Sequence, residues 1–568
     1  MERFRLIVPR FPYFNIYSSI VMPPYGALSV ATTLRDAGGR AVEVIDENNY
    51  RGALDHRAVQ AERPAGCVGF YGGLTSTIPR LYAVAREYKA MGAVTVAGGV
   101  HMKALPDEAL DSGIDYVVLG EGERALPRLL DAIGSGADPA AVPGLVFRRD
   151  GRTVFTADPQ PLTDLDNLPV PDLDLLVNTK RKIRFVPVSR TRGCNFSCEF
   201  CSVRNHLGPC RSASPEHALR QFTHHADHGR TSFFVVDDNF VQDHEGTKEL
   251  CRMLIDYQRR TRKRLDIVVQ ARAEVARDAE MLRLMKEAGV STLCIGYESP
   301  IDEDLRNMRK GLTVRRLEEY TAVLHRHGFY IHGMFIFGYP TFADSTCRPA
   351  LSMKERAQRY LEFIRRCKLD TIQVMKPVPL PGTMLRQRLE AEGRIFPRSL
   401  VDWDKYDGNW LCFQPDEGCS AGDLQHYATW IMRKVYHPLQ IAKFICLIPN
   451  YPLDLAVFTC IEAWKGLRRH IRQTRAPGAP RQGLGHHVRW AWGFGWAALS
   501  NARQAVAKRL RNARLKSAGS LIYDSWKRNF RKERFYEVLE AATARLQAER
   551  RRAAERLSRV RRLPNRAK

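Results

Sequence analysis

Short apolar runs recur along the first 400 residues, separated by stretches whose apolar residues fall at three- and four-residue intervals. In residues 1–150 the runs are Arg5–Val8, Ala41–Ile45, Cys67–Phe70, Val94–Ala97, Tyr116–Leu119 and Leu145–Phe147, and each reads as a strand. Helical patterns such as Ala27–Ala37 and Ile78–Met91 lie between them. Alternation at this rhythm predicts an α/β domain with an open, mostly parallel sheet and helices on both faces, doubly wound and Rossmann-like. Ligands of such sheets sit beyond the carboxyl ends of the strands. Here those ends read Tyr71-Gly72-Gly73, Gly98-Gly99-Val100-His101 and Gly120-Glu121-Gly122-Glu123. Glycine there lets a ligand approach the backbone and exposes amide donors, although tight turns alone would use the same residues.

A stretch rich in Pro and Asp, from Asp158 to Leu176, reads as a linker within 151–180. A second alternating series fills 181–400, with strands expected at Phe185–Ser189, Ser232–Val236, Asp266–Gln270, Thr292–Tyr297, Tyr330–Phe337 and Thr371–Met375. Helical patterns such as Pro215–His228, Met281–Ala288 and Val314–His327 lie between. Six strand–helix units predict a (β/α)6 partial TIM barrel with its working groups at the strand ends. Residues 401–568 read as mainly helical. Trp403, Tyr406, Trp410, Phe413 and Pro415 open this part as an aromatic cluster, read as packing rather than as a lid, and Leu424–Tyr436 is an amphipathic helix.

Charge changes the picture only at one end. The 568 residues carry a net charge of +26, but residues 466–568 hold 27 Lys and Arg against 6 Asp and Glu. The first 465 residues hold 61 against 56, so the basic character says nothing of what the main body binds. Tryptophans at 490, 492 and 496 and the interrupted apolar run Ile441–Trp464 accompany the charge. Residues 441–568 therefore suit an anionic membrane surface, with a solvated helical appendage as the alternative and nucleic acid less favoured for want of a binding motif. Thirteen irregularly spaced cysteines and an opening without a secretory pattern point to a reducing, cytoplasmic compartment, peripheral to the membrane if the basic end binds it.

The sharpest chemical signal follows the first strand of the second series. Arg192-Gly193-Cys194-Asn195-Phe196-Ser197-Cys198-Glu199-Phe200-Cys201 contains Cys-x3-Cys-x2-Cys. Three thiolates on one loop can hold three corners of a [4Fe–4S] cluster and leave the fourth iron open. A zinc site completed by His206 or Cys210 is the alternative.

This motif, placed after the first barrel strand, resembles the signature of the radical S-adenosylmethionine (SAM) enzymes, and the resemblance covers roughly residues 180–400. It implies that Cys194, Cys198 and Cys201 carry the cluster, that SAM binds the open iron, and that an electron donor such as flavodoxin or ferredoxin reduces it. It also implies cofactor-binding roles at strand ends for Asp237, Asp238 and Asn239, where relatives often carry Gly-Gly-Glu, for Arg272 toward the SAM carboxylate, and for Glu298 toward ribose or substrate. Gly338-Tyr339-Pro340 falls near the adenine in the same reading.

A doubly wound domain ahead of such a barrel is similar to the cobalamin-binding domain of B12-dependent radical SAM enzymes. The matching pieces are Pro23-Pro24-Tyr25-Gly26-Ala27-Leu28, Gly98-Gly99-Val100-His101 and Gly120-Glu121-Gly122-Glu123. Gly72, Gly73, Gly98, Gly99, His101, Gly120, Glu121 and Gly122 are then the candidate cobalamin contacts, with a surface turn as the other reading of His101. Asp-x-His-x-x-Gly is missing, so no histidine of that motif ligates cobalt. A domain that has kept the fold and lost the cofactor is the competing explanation. The resemblance implies C-methylation of an unactivated carbon in a hydrophobic, lipid-like or natural-product small molecule. Oxidative cyclisation or rearrangement by the same cofactors is the alternative, and a cluster-bearing protein without turnover is the reading from another class.

Overall fold

The computed structural model describes residues 2–13, 22–49, 53–180, 183–342, 345 and 351–436, with scattered positions from 464 to 552. Seven strands form the first sheet: β1 (Arg3–Val8), β2 (Ala41–Asp46), β3 (Cys67–Tyr71), β4 (Val94–Gly98), β5 (Tyr116–Val118), β6 (Leu145–Arg149) and β7 (Arg152–Phe155). Their order is β2-β1-β3-β4-β5-β6-β7. The first five run parallel, while β6 and β7 add antiparallel to the edge. β7 was not among the expected strands. It pairs because Asp150 and Gly151 both take positive φ, 49° and 75°, and make the two-residue turn of a hairpin. The helix Ile78–Ala90 shows how the sequence period becomes packing: Ile78, Leu81, Tyr82, Ala85 and Tyr88 recur every three or four residues and all are buried.

The second sheet contains β8 (Val186–Val188), β11 (Ser232–Val235), β12 (Asp266–Ala271), β13 (Val290–Glu298), β14 (Tyr330–Ile336) and β15 (Thr371–Met375). All six are parallel and each lies beside its predecessor in the chain, the arrangement of a partial barrel. Between β8 and β11 a two-stranded ribbon, β9 (Thr191–Arg192) against β10 (Arg211–Ser212), closes the base of the cysteine loop. Helices follow the strands with consistent start signals. Ser214, Asp243, Asp278, Thr313, Ser352 and Thr383 each accept a hydrogen bond from the backbone N–H three residues on. Such caps satisfy an orphan donor at each helix start.

Trp403, Tyr406, Trp410 and Phe413 are buried in one apolar core with Leu81, Tyr82, Tyr88 and Met102 of the first domain. Trp403 Nε1 donates to Glu108 at 2.9 Å. The segment after the barrel thus packs against the N-terminal domain and holds the two sheets in one body. The helix expected at Leu424–Tyr436 spans Ala421–Val435. The apolar run Ile441–Trp464 lies outside the described residues except for Trp464, as do the basic helices from Arg503 onward except for scattered positions. Among the described residues no helix is long and apolar enough to cross a membrane.

Trp403→Ala opens a cavity in this shared core and removes one of the donors to Glu108, which keeps its ion pair with Arg398, and is expected to cost about 3–5 kcal/mol. The shift of the chemical-denaturation midpoint at unchanged slope measures it.

Candidate active site

The cysteine loop leaves β9 through Gly193, whose φ of 86° and close neighbours admit no side chain. A Cβ there would lie 2.5 Å from the Pro209 carbonyl oxygen and 2.6 Å from that of Gly208. Cys194 N–H donates to Gly208 O at 3.2 Å and Cys201 N–H to Cys198 O at 3.1 Å, so the loop is folded on itself. Cys194, Cys198 and Cys201 are free thiols, each partly accessible. Burial raises the Cys194 thiol and pushes Cys201 up to about 12, with the neighbouring Cys198 and Asp238 raising both further. Such sulfurs ionise readily only against a cation, and iron supplies one. No three His, Cys, Asp or Glu side chains among the described residues converge tightly enough for a single metal ion. Three thiolates on one loop are the donor set that a [4Fe–4S] cluster would take, one on each of three irons.

Asp237, Asp238 and Asn239 follow β11, but they differ in access. Asp237 is buried and its Oδ1 accepts from Ser189 Oγ at 2.9 Å and from Arg190 N–H at 2.8 Å, which ties β8 to β11. Asn239 is also buried; its Oδ1 accepts from Arg272 N–H at 3.3 Å and its amide donates to Gln242, which receives the Cys194 thiol at 3.7 Å. Asp238 opens into a cavity while protein surrounds it, and that burial, with the Asp237 carboxylate beside it, lifts its pKa to about 7. Arg272 pairs with Glu274 at 2.7 Å, donates to Lys310 O at 2.7 Å, and places Nη1 3.9 Å from Cys198 Sγ, its guanidinium stacked 3.9 Å above the Phe196 ring. Glu298 ends β13 at a φ of 61°, and its carboxylate is held by Lys310 at 2.7 Å. A non-glycine residue in that conformation costs about 1–3 kcal/mol, which the buried ion pair helps to sustain. Tyr339, after β14, packs edge-on against Phe200 of the cysteine loop at 6.4 Å.

A cavity of roughly 430 Å³ joins the carboxyl ends of the first sheet to this face of the barrel. Gly73, Gly98, Gly99, Gly120, Glu121 and Gly122 line it from one side, and Ser189, Thr191, Arg192, His206 and Asp238 from the other. At its apolar end Gly69 leaves room for its neighbours: a Cβ there would sit 2.5 Å from Phe4 Cζ and 3.0 Å from Leu6 Cδ1. Backbone-walled space of this kind fits a large cofactor with a flat appendage. Two expectations need correction. Gly72 does not line the cavity; its N–H donates to Gly98 O at 2.7 Å, and a Cβ on Gly99 would lie 2.6 Å from Gly72 C, so this glycine pair serves backbone packing. His101 is neither a cavity contact nor a surface turn. The helix Val100–Ala104 turns it into the core, where it is buried against Trp403 with ring centroids 4.9 Å apart, and Nδ1 lies 3.4 Å from Thr75 Oγ1.

The sequence alone assigns Arg192 no individual role. Its guanidinium donates to Glu121 at 2.7 Å and to Glu123 at 2.6 Å. Arg211, its neighbour across the ribbon, donates to Glu121 at 2.8 Å. Burial opposes the Glu121 charge, yet these donors and the Leu162 N–H hold its pKa below the usual range. The residue beside the cysteine loop is therefore locked to the loop after β5. Nothing local announces it, because the partners lie 71 and 69 positions away.

The family model of the radical SAM superfamily matches residues 188–353, and that of the B12-binding domain matches residues 17–130. The chain thus carries both a radical SAM domain and a B12-binding domain. This cobalamin-binding radical SAM enzyme has a [4Fe–4S] cluster, SAM and cobalamin as its cofactors. It is 29% identical over 349 residues to an uncharacterised methyltransferase of Pyrococcus horikoshii, covering 59% of this chain and 72% of the relative. It is 26% identical over 427 residues to the hopanoid C-2 methylase of Rhodopseudomonas palustris, covering 74% and 72%. Its fold is similar to that of the radical SAM methyltransferase TsrM of Kitasatospora setae, with a TM-score of 0.57 at 20% identity over 70% of this chain and 78% of that one.

Cys198→Ala is expected to abolish the cluster; an intact [4Fe–4S] EPR signal in the reduced variant contradicts its assignment as a ligand. Arg192→Met leaves Glu121 and Glu123 without their shared cation and is expected to cost about 3–5 kcal/mol, read as a denaturation midpoint.

Proposed function

We propose that the protein methylates an unactivated carbon of a hydrophobic small molecule. The observation that carries the reading is the cavity bounded in common by the glycine-lined ends of the B12-binding sheet and by the barrel wall beside the cysteine loop. The methyltransferase names of its relatives agree with it. When bound, the cofactors supply a carbon-centred radical for hydrogen abstraction and a methyl group for transfer. The chain's own contribution is placement and exclusion of water.

Cys194, Cys198 and Cys201 hold three irons of the cluster. Asp238, exposed in the cavity, is an acceptor for the SAM ammonium, and its raised pKa leaves it able to take a proton near neutrality. Arg272 holds the loop from beneath through Phe196 while turning Nη1 toward Cys198. Asp237 and Asn239 position these groups, and Lys310 holds the Glu298 carboxylate at the end of β13. Gly98, Gly99, Gly120 and Gly122 present backbone to cobalamin. Hopanoid-like lipids are the first candidate substrates, given the methylase from Rhodopseudomonas palustris.

Anaerobically reconstituted enzyme, given SAM, a reductant and a candidate substrate, is expected to release both S-adenosylhomocysteine and 5′-deoxyadenosine. Production of 5′-deoxyadenosine alone with a turned-over substrate overturns methylation in favour of cyclisation or rearrangement.

A further inference from the structure

We propose that His206, a residue of the radical SAM domain, contacts bound cobalamin by hydrogen-bonding the amide-bearing rim of its corrin. The proposal rests on the reading that the cavity holds cobalamin. His206 lies on the short helix Val203–Leu207, immediately after the cysteine loop, and it is the histidine in the described wall of the cavity. Neither ring nitrogen has a hydrogen-bond partner among the described residues, and Nδ1 is buried. Polar groups in such surroundings are nearly always paired, so an unpaired imidazole on a cofactor cavity marks a missing partner.

The residue is also held in place from both domains. Lys103, on the helix that follows Gly99, donates to the carbonyls of Asn205 at 3.3 Å and His206 at 3.0 Å. On the other side Arg204 donates to Cys194 O at 3.3 Å, and Cys194 N–H to Gly208 O at 3.2 Å. Burial, with the Lys103 ammonium nearby, holds the His206 pKa down to about 4, so the ring is neutral across the physiological range. A neutral imidazole offers one donor and one acceptor, which is what a primary amide needs in return. The acetamide and propionamide groups around a corrin are such amides. Direct ligation of cobalt is less favourable, because His206 belongs to the wall that carries Asp238 and the cysteine loop. A nitrogen bound to cobalt from that wall occupies the face that substrate must reach.

The test uses the full chain with its cluster reconstituted and hydroxocobalamin as the probe, with Kd read from corrin absorbance. His206→Ala is expected to weaken binding about three- to tenfold, the range for one lost hydrogen bond. His206→Asn, which keeps a donor and an acceptor, is expected to recover part of that loss. Iron and sulfide content stays unchanged in both, and the cob(II)alamin EPR spectrum of wild type and His206→Ala is the same. Equal affinity in wild type and His206→Ala overturns the rim contact. A nitrogen superhyperfine pattern that disappears in His206→Ala overturns it in favour of cobalt ligation. Absence of corrin binding by the wild type defeats the cobalamin reading itself, a result distinct from failure at His206 alone.

Discussion

The arrangement of this protein turns on one largely enclosed guanidinium. Arg192 precedes the cysteine loop by a single glycine and is shared between Glu121 and Glu123 at the end of the first sheet. A buried cation is tolerable only when its counter-charges are close and its donors satisfied. Here Glu121 is itself held by Arg211, and Glu123 also accepts from Ser29 Oγ at 2.6 Å. Breaking any member leaves an uncompensated charge, so the network fixes the distance between the two cofactor-bearing walls more firmly than apolar contact would. Apolar surfaces slide, whereas a guanidinium bridging two carboxylates through separate nitrogens is held in one register.

The aromatic core opposes the same movement from a different quarter. Trp403, Tyr406 and Trp410 pack against Leu81, Tyr82 and Met102. The ion network lies at the strand ends and the aromatic core lies around the helices Ile78–Ala90 and Val100–Ala104. Two separated attachments resist rotation as well as translation. The cavity walls therefore form a fixed vise, and adaptation to different substrates falls to side chains within it.

Much of this was legible in the sequence. The six strands of the barrel and six of the seven in the first sheet lie within one or two residues of where period and composition put them, because buried strands are short apolar runs with little else in them. The cysteines stood out because ligand spacing is local. β7 was hidden in a segment read as linker, although Asp150-Gly151 is a recognisable hairpin signal. The ribbon β9–β10 escaped because two residues per strand carry no period. His101 was assigned from a strand-end glycine pair, but its orientation depends on Trp403, some 300 positions away, and no local pattern encodes that. Arg192 and His206 are of the same kind: their environments come from the other domain.

The ribbon has a consequence for how the cluster is held. Residues 193–210 form a loop whose two ends are already joined by β9 and β10 and whose interior is tied by Gly193, Gly208 and Cys194. Backbone pairing in the ribbon therefore already meets the entropy of closing that loop. A cluster bound there orders few further torsions, so its affinity rests on the thiolates themselves.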